Sequence, residues 1–220
     1  EAIRGTADRL TKRGFQVHAP AADDTGETRL FIRRDKLEVK VEVNHVMRGT
    51  VHPVRMASLT TAAKQALLAD LELPMLSADE LYGSKLVAAM DRQHPRDLYD
   101  AMQLFLHEGI TLGIRRCFVV YVACHNRPVH ELLAPKLRDI SGEYDSTFRG
   151  MTTEPVELEA LLSARERLLG ELNHGLSDEE RAFLLSMTRN EPDWSLLDID
   201  HLEQLPGIRW KRMNLERLAQ

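Results

Sequence analysis

The sequence predicts an α+β fold, a small sheet module followed by a helical bundle. Two observations carry this. Residues 29–44 alternate apolar and polar side chains on either side of a short polar turn, the period of paired strands. From Ser77 onward, helix-start signals and helical apolar spacing recur with no strand pattern dominating. The expected division is residues 1–75 for the sheet module and 76–220 for the helical part, and no internal repeat is visible.

Each element has a local cause. Ile3, Ala7 and Leu10 recur at helical spacing, and Lys12, Arg13 and Gly14 close that helix. Phe15 to Ala19 reads as a short strand, and Pro20 to Glu27, with Asp23, Asp24 and Gly26, as a turn. Arg29–Arg34 and Leu37–Asn44 then form a hairpin around Arg34, Asp35 and Lys36. Leu37, Val39, Val41 and Val43 face one side of the second strand, and Glu38, Lys40, Glu42 and Asn44 the other. Thr60 to Asp70 is a short helix. Ser77-Ala78-Asp79-Glu80 is a capping box, and Pro95 opens the following helix. Arg115 to Cys124 is a core helix, with a strand as the alternative, and further helices are expected over Val129–Ile140, Val156–Leu172, Asp178–Met187 and Arg209–Leu218.

Composition narrows the class. The chain has 220 residues, 43% hydrophobic and 29% charged, which suits a globular protein and excludes collagen-like or low-complexity chains. The longest apolar run, Cys117 to Cys124, is far short of the ~18 residues of a membrane span. Two cysteines without a Cys-x-x-Cys pair make a reducing cytoplasm the expected compartment. The chain begins at Glu1 inside a helical pattern, from which an upstream segment is expected. A net charge of −5 argues against a surface basic throughout, but the charge is unevenly placed. Arg29, Arg33, Arg34, Lys36, Lys40 and Arg48 form one basic zone, and Arg209, Lys211, Arg212 and Arg217 a second. Thr152 to Asp200 holds twelve acids against four bases. The basic zones are either ordinary solvated faces or two flanks of one cleft that guides a polyanion.

The residues with chemistry gather around Lys85. With Leu81 at zero on a helical wheel, Lys85 falls near 40°, between Leu81 and Ala89, and is expected to face inward. A buried ammonium either snorkels outward or meets an anion; the other reading is that Lys85 lies at the stripe's edge and its stem merely covers core. Candidate anions follow in His94-Pro95-Arg96-Asp97-Leu98-Tyr99-Asp100. Asp97 falls in a first helical turn, where a carboxylate favours the dipole, while Asp100 lies one turn on and has Arg96 as an i, i+4 partner.

These residues carry a resemblance. Ser77-Ala78-Asp79-Glu80-Leu81-Tyr82-Gly83-Ser84-Lys85-Leu86, then Arg92, then Pro95-Arg96-Asp97-Leu98-Tyr99-Asp100, closely resemble the AbiEii-type nucleotidyltransferase toxins, which include MenT-like members. Leu205-Pro206-Gly207-Ile208-Arg209-Trp210-Lys211 with Asn214-Leu215 looks like the family's C-terminal signature, and Val39-Lys40-Val41-Glu42-Val43-Asn44 like its sheet strand. The resemblance runs from about Leu30 to the end. It implies a polymerase-β-like nucleotidyltransferase fold with a small mixed sheet, in which three carboxylates hold Mg²⁺ and the triphosphate of an NTP. It also implies a toxin of a type IV toxin–antitoxin or abortive-infection system, a nucleic-acid acceptor with tRNA a candidate, and a cognate antitoxin. By the same resemblance Lys85, Asp97, Asp100 and Glu42 are the catalytic candidates, Lys85, Arg96 and Lys40 contact the nucleotide, and Glu42 is the metal ligand. The family's Gly-Ser motif and Asp-x-Asp pair are expected upstream of Glu1, because Gly83-Ser84 is helical and Asp198-Ile199-Asp200 falls late, in the acidic stretch.

Other constellations are weak. Cys117 and Cys124, i and i+7 on an apolar helix, read as core. The histidines have no metal-ligand spacing, His45 and His52 included, and no Gly-x-Ser-x-Gly elbow, P-loop or dinucleotide fingerprint exists. Trp194 and Trp210 read as packing residues. Two functions compete: an Mg²⁺-dependent nucleotidyltransferase, and an inactive nucleotide- or partner-binding relative that lacks the Asp-x-Asp metal site.

Overall fold

In the computed structural model, which describes residues 2–19, 29–42 and 48–218, helix α1 spans Ala2–Lys12. It ends at Gly14, whose left-handed φ of 84° lets the amides of Gly14 and Phe15 return to Thr11 and Leu10. Strands β1 (Gln16–His18), β2 (Arg29–Arg34) and β3 (Leu37–Glu42) follow in an antiparallel sheet of order β1-β2-β3. The β2–β3 turn is closed by Asp35 at φ 56°, a conformation Asp tolerates better than most residues. The predicted turn over Pro20 to Glu27, and Val43, Asn44 and His45, lie outside the described residues.

The pairing keeps the predicted alternation but not its burial. Leu30 faces Val41 and Ile32 faces Val39, so the apolar residues share one side. Leu30 is buried and Val41 half-buried, yet Val39 and Leu37 are 57% and 76% exposed. The apolar face is thus covered at one end only. On the other side Glu42 pairs with Arg29 across the strands and with Lys40 along its own strand, both at 2.9 Å.

The chain forms two compact units, Glu1–Met47 and Arg48–Gln220. The larger begins with a second antiparallel pair, β4 (Arg55–Ser58) with β5 (Glu72–Met75), bracketing α2 (Thr61–Leu67). This pair was invisible to the sequence reading because each strand has four residues and Pro74 sits within one of them.

Helices α3 (Ala78–Arg92), α4 (Pro95–His107), α5 (Leu112–Ala123), α6 (Val129–Leu133), α7 (Ser141–Thr147), α8 (Leu158–Gly175), α9 (Asp178–Thr188) and α10 (Pro206–Leu218) build the bundle. The core helix predicted over Arg115–Cys124 is α5, buried without a break from Cys117 to Ala123. Its own Phe118 shares one core with Leu98, Leu104, Leu161, Leu168, Leu172 and Phe183 of the other helices. The helix predicted over Val129–Ile140 stops at Leu133, because Ala134 precedes Pro135 and is displaced from helical geometry. Helix α7 then starts separately, its first amide and hydroxyl held by the Asp139 carboxylate.

The predicted capping box at Ser77 is half formed. Ser77 Oγ accepts the Glu80 amide, but the Glu80 side chain does not reach back. Glu80 is fully buried, and its carboxylate accepts the amides of Val51 (2.6 Å) and His52 (3.2 Å) and the Tyr121 hydroxyl (2.8 Å). A reciprocal box occurs instead at Ser177–Glu180. Helix α10 starts before the predicted Arg209, with Pro206 in its first turn, and the Gly207 amide reaches the Arg48 carbonyl at 3.1 Å. Gly207 allows this approach, since a Cβ there would lie 2.8 Å from Cys124 Sγ.

Candidate functional site

The site residues of the larger unit sit on the hairpin of α3 and α4. Gln93 adopts a left-handed φ of 53°, which ends α3, and its amide returns to the Ala89 carbonyl. His94 caps the next helix through Nδ1, which accepts the Arg96 amide at 3.2 Å, and Pro95 fills the first helical position. Two helices joined by so short a corner must run back along each other, so partners are read off as rungs.

The rung nearest the corner is Arg92 with Asp97. The guanidinium donates from Nε at 3.0 Å and from Nη2 at 2.7 Å to the two carboxylate oxygens. This two-point fork uses both acceptors of Asp97 and fixes the arginine plane. The outer rung is Lys85 with Asp100, where Nζ lies 2.5 Å from Oδ2. The expected Arg96–Asp100 pair does not form. Arg96 has no side-chain partner among the described residues and lines a cavity at the corner.

The wheel placed Lys85 too deep. The buried stripe of α3 is Glu80, Gly83, Leu86, Val87, Ala89 and Met90, while Leu81 is 38% exposed. Gly83 sets that stripe because α5 packs against it: a Cβ there would lie 2.7 Å from Cys117 Cβ and 2.8 Å from the Phe118 amide nitrogen. An apolar count starting from Leu81 gives glycine no weight and rotates the face. Lys85 therefore lies at the stripe's edge, with 38% of its side chain exposed and 34% of Asp100's. A pair this open to water is worth roughly 0–1 kcal/mol, so joining the helices is a weak reason for it.

In the smaller unit, Glu42 is half exposed on β3. The hydrogen bond from Lys40, joined by the charge of Arg29, holds its carboxyl below the usual glutamate range, so it is ionised at neutral pH. Lys40 is itself engaged by that carboxylate. Among the described residues no three His, Cys, Asp or Glu side chains converge in a way that would hold a metal. Glu42 is one carboxylate where the resemblance implies three.

Other candidates resolve as structural. Cys117 and Cys124 are buried and free, and burial pushes each thiol up to about 12. Cys117 Sγ lies 3.4 Å from His52 Nε2, but a thiol so rarely ionised is a poor nucleophile or ligand. Lys211 leaves the C-terminal basic zone: it is 8% exposed, and Nζ donates to the carbonyls of Asn126 and Arg127 at 3.3 Å. Trp194 packs on Phe183 as expected, whereas Trp210 is 40% exposed. The sequence reading missed Gln93 and Arg138, which face the corner from two segments. A buried glutamine between a helix end and His-Pro was the available signal.

Comparisons with known proteins bear on this geometry. The structure is similar to MenT4, a nucleotidyltransferase toxin of Mycobacterium tuberculosis H37Rv, with a TM-score of 0.56 and 19% identity over 92% of this chain and 68% of that one. At that identity the likeness speaks for the fold. No curated protein matches in sequence. A sequence model described as the nucleotidyl transferase AbiEii toxin of type IV toxin–antitoxin systems matches residues 1–210. The chain therefore belongs to the AbiEii nucleotidyltransferase toxin family.

Proposed function

We propose that the protein is a toxin that transfers a nucleotide from an NTP to a nucleic-acid acceptor, with tRNA the acceptor to try first. The observation that carries this reading is the half-exposed Lys85–Asp100 rung. An ammonium is a compact point charge with three donors, suited to a triphosphate. Asp100 uses one donor and holds the ammonium in one direction, while the remaining donors are open to phosphate oxygens. Because an exposed pair contributes so little, a polyanion can share or replace Asp100 at small cost.

Asp97 acts one step back, setting Arg92 in a fixed plane beside that rung. Arg96 and Lys40 are proposed as further nucleotide contacts. Glu42 is proposed as the carboxylate this chain contributes to Mg²⁺, which in such enzymes neutralises the leaving pyrophosphate. The family brings an antitoxin as partner, and the cytoplasm is the proposed place of action. Among the described residues, no helix is long and apolar enough to cross a membrane.

The test is direct. The protein is incubated with each of the four α-³²P-labelled NTPs, Mg²⁺ and total tRNA. Label appearing in the tRNA band supports transfer. NTP binding without label in any nucleic acid supports the inactive binding relative instead.

A further inference from the structure

The corner between α3 and α4 faces a cavity of about 530 Å³ that does not include Lys85. Its walls come from three places: the corner itself (Arg92, His94, Arg96, Asp97), the segment before α7 (Arg138, Asp139, Ile140) and Glu143 on α7. Two of its guanidiniums, Arg96 and Arg138, have no side-chain partner among the described residues. The acids beside them are partly committed. Asp97 is used by Arg92, and Asp139 by the Ser141 amide and hydroxyl, which hold its carboxyl below the usual range. Glu143 is the acid left uncommitted.

The cavity is built and not a gap between side chains. Gln93, 2% exposed, donates its amide to the Lys136 carbonyl at 2.8 Å, and its carbonyl accepts the Arg138 amide at 3.1 Å. Arg165 of α8 donates to that same glutamine oxygen at 3.2 Å and to the Arg138 carbonyl at 2.8 Å. Thus both backbone groups of Arg138 are tied down while its side chain is left without a partner. His94 Nε2 lies 3.3 Å from Thr147 Oγ1, joining the corner to α7. A glutamine held in a left-handed conformation, at φ 53°, is strained. What it secures here is the backbone of an arginine whose guanidinium has no hydrogen-bond or ion-pair partner among the described residues.

We propose that Arg96 and Arg138 form a phosphate-binding site separate from the Lys85 rung. Two planar forks facing one cavity suit a phosphate, whose oxygens accept paired N–H donors. The cavity's lining includes neither Lys85 nor Asp100, so the two guanidiniums offer a phosphate a place of its own beside that rung. The site therefore takes either a backbone phosphate of the acceptor strand or a phosphate of the nucleotide. Only this choice of source rests on the nucleotidyl-transfer reading.

The experiment compares wild type, Arg138→Gln, Arg96→Gln and the double variant. Two probes are used: a fluorescein-labelled single-stranded RNA 15-mer, and α,β-methylene analogues of the four NTPs. Because Arg138 is held through its backbone, Arg138→Gln is expected to melt as wild type does, and Arg138→Lys, which keeps the charge but loses the fork, is the second variant. Each glutamine substitution is expected to weaken RNA binding about tenfold and to lower the slope of log K against log salt by about 0.7. Weaker RNA binding with unchanged NTP binding assigns the site to the acceptor and takes Arg96 out of the proposed nucleotide contacts. Weaker NTP binding with unchanged RNA binding assigns it to the nucleotide. A double variant that binds both probes with wild-type affinity and salt slope overturns the proposal. Failure of the transfer reading would show separately, as phosphate-dependent binding without label transfer.

Discussion

Lys85 and Asp100 meet as the outer rung of the α3–α4 hairpin, at 2.5 Å and with about a third of each side chain in water. The inner rung, Arg92 with Asp97, is a two-point fork, and Asp97 is only 13% exposed. The inner rung is thus the fixed one and the outer rung the one able to exchange partners. Both are held in place by packing deeper in the same helix, at Glu80 and Gly83.

Glu80→Gln should lower unfolding free energy by about 3 kcal/mol, because a buried carboxylate with three donors is replaced by an amide that turns NH₂ toward some of them. Tyr121→Phe, which removes one donor, should cost about 1.5 kcal/mol. Urea unfolding of both single variants and the double checks this. The double should cost less than the sum, since the two groups share a bond.

Gly83→Ala should destabilise by about 2 kcal/mol, although alanine is the better helix former by about 1 kcal/mol. The added Cβ would stand 2.7 Å from Cys117 Cβ, 2.8 Å from the Phe118 nitrogen and 2.9 Å from the Ile114 carbonyl oxygen. Two of these are backbone atoms and cannot swing aside. A urea midpoint at or above wild type would contradict the close approach of α3 and α5.

His125 gives a pH dependence of definite sign. Burial is the main cause that pushes its pKa below the ordinary value of 6.5, against an opposing pull from Asp91. The unfolded chain therefore binds the proton more readily, and stability rises with pH between the folded and unfolded values. This contribution is complete above pH 6.5 and shrinks as pH falls below it, by up to about 1.4 kcal/mol per pH unit. Denaturation at pH 7.5, 6.5 and 5.5 should show this decline in wild type and a flatter profile in His125→Gln.

Glu42→Gln should abolish nucleotidyl transfer while shifting the melting temperature by no more than about 2 °C, since the carboxylate is half exposed and its ion pairs are weak. Full transfer by this variant would remove Glu42 from the proposed metal role.

The order of elements was largely legible because it rests on local signals. The αL-tolerant Asp35 closes the hairpin, Pro95 opens α4, and the apolar run 117–123 marks the central helix. What was not legible depends on non-local demand. Glu80 looks like half of a capping box, and only the amides of Val51 and His52, far away in sequence, draw it inward. Lys85 looked buried because the packing of α3 is set by a glycine, which carries no hydrophobic signal. Lys211 looked like surface charge until two carbonyls near the end of α5 claimed it. Lys85 with Asp97 or Asp100 was legible as a pair across two helices; what was not legible is that Arg92 takes Asp97, which leaves Asp100 to Lys85 and Arg96 without its i, i+4 neighbour.

The most direct measurement on the central claim is Lys85→Met, read by melting and by NTP-analogue binding on the same sample. The variant keeps the stem and removes the charge. Since the pair with Asp100 is open to water, stability should change by no more than about 1 kcal/mol, while NTP binding weakens at least tenfold and transfer is lost. A variant that melts as wild type and binds NTP with wild-type affinity, or one that loses the 3–5 kcal/mol typical of a broken buried pair, would contradict the account.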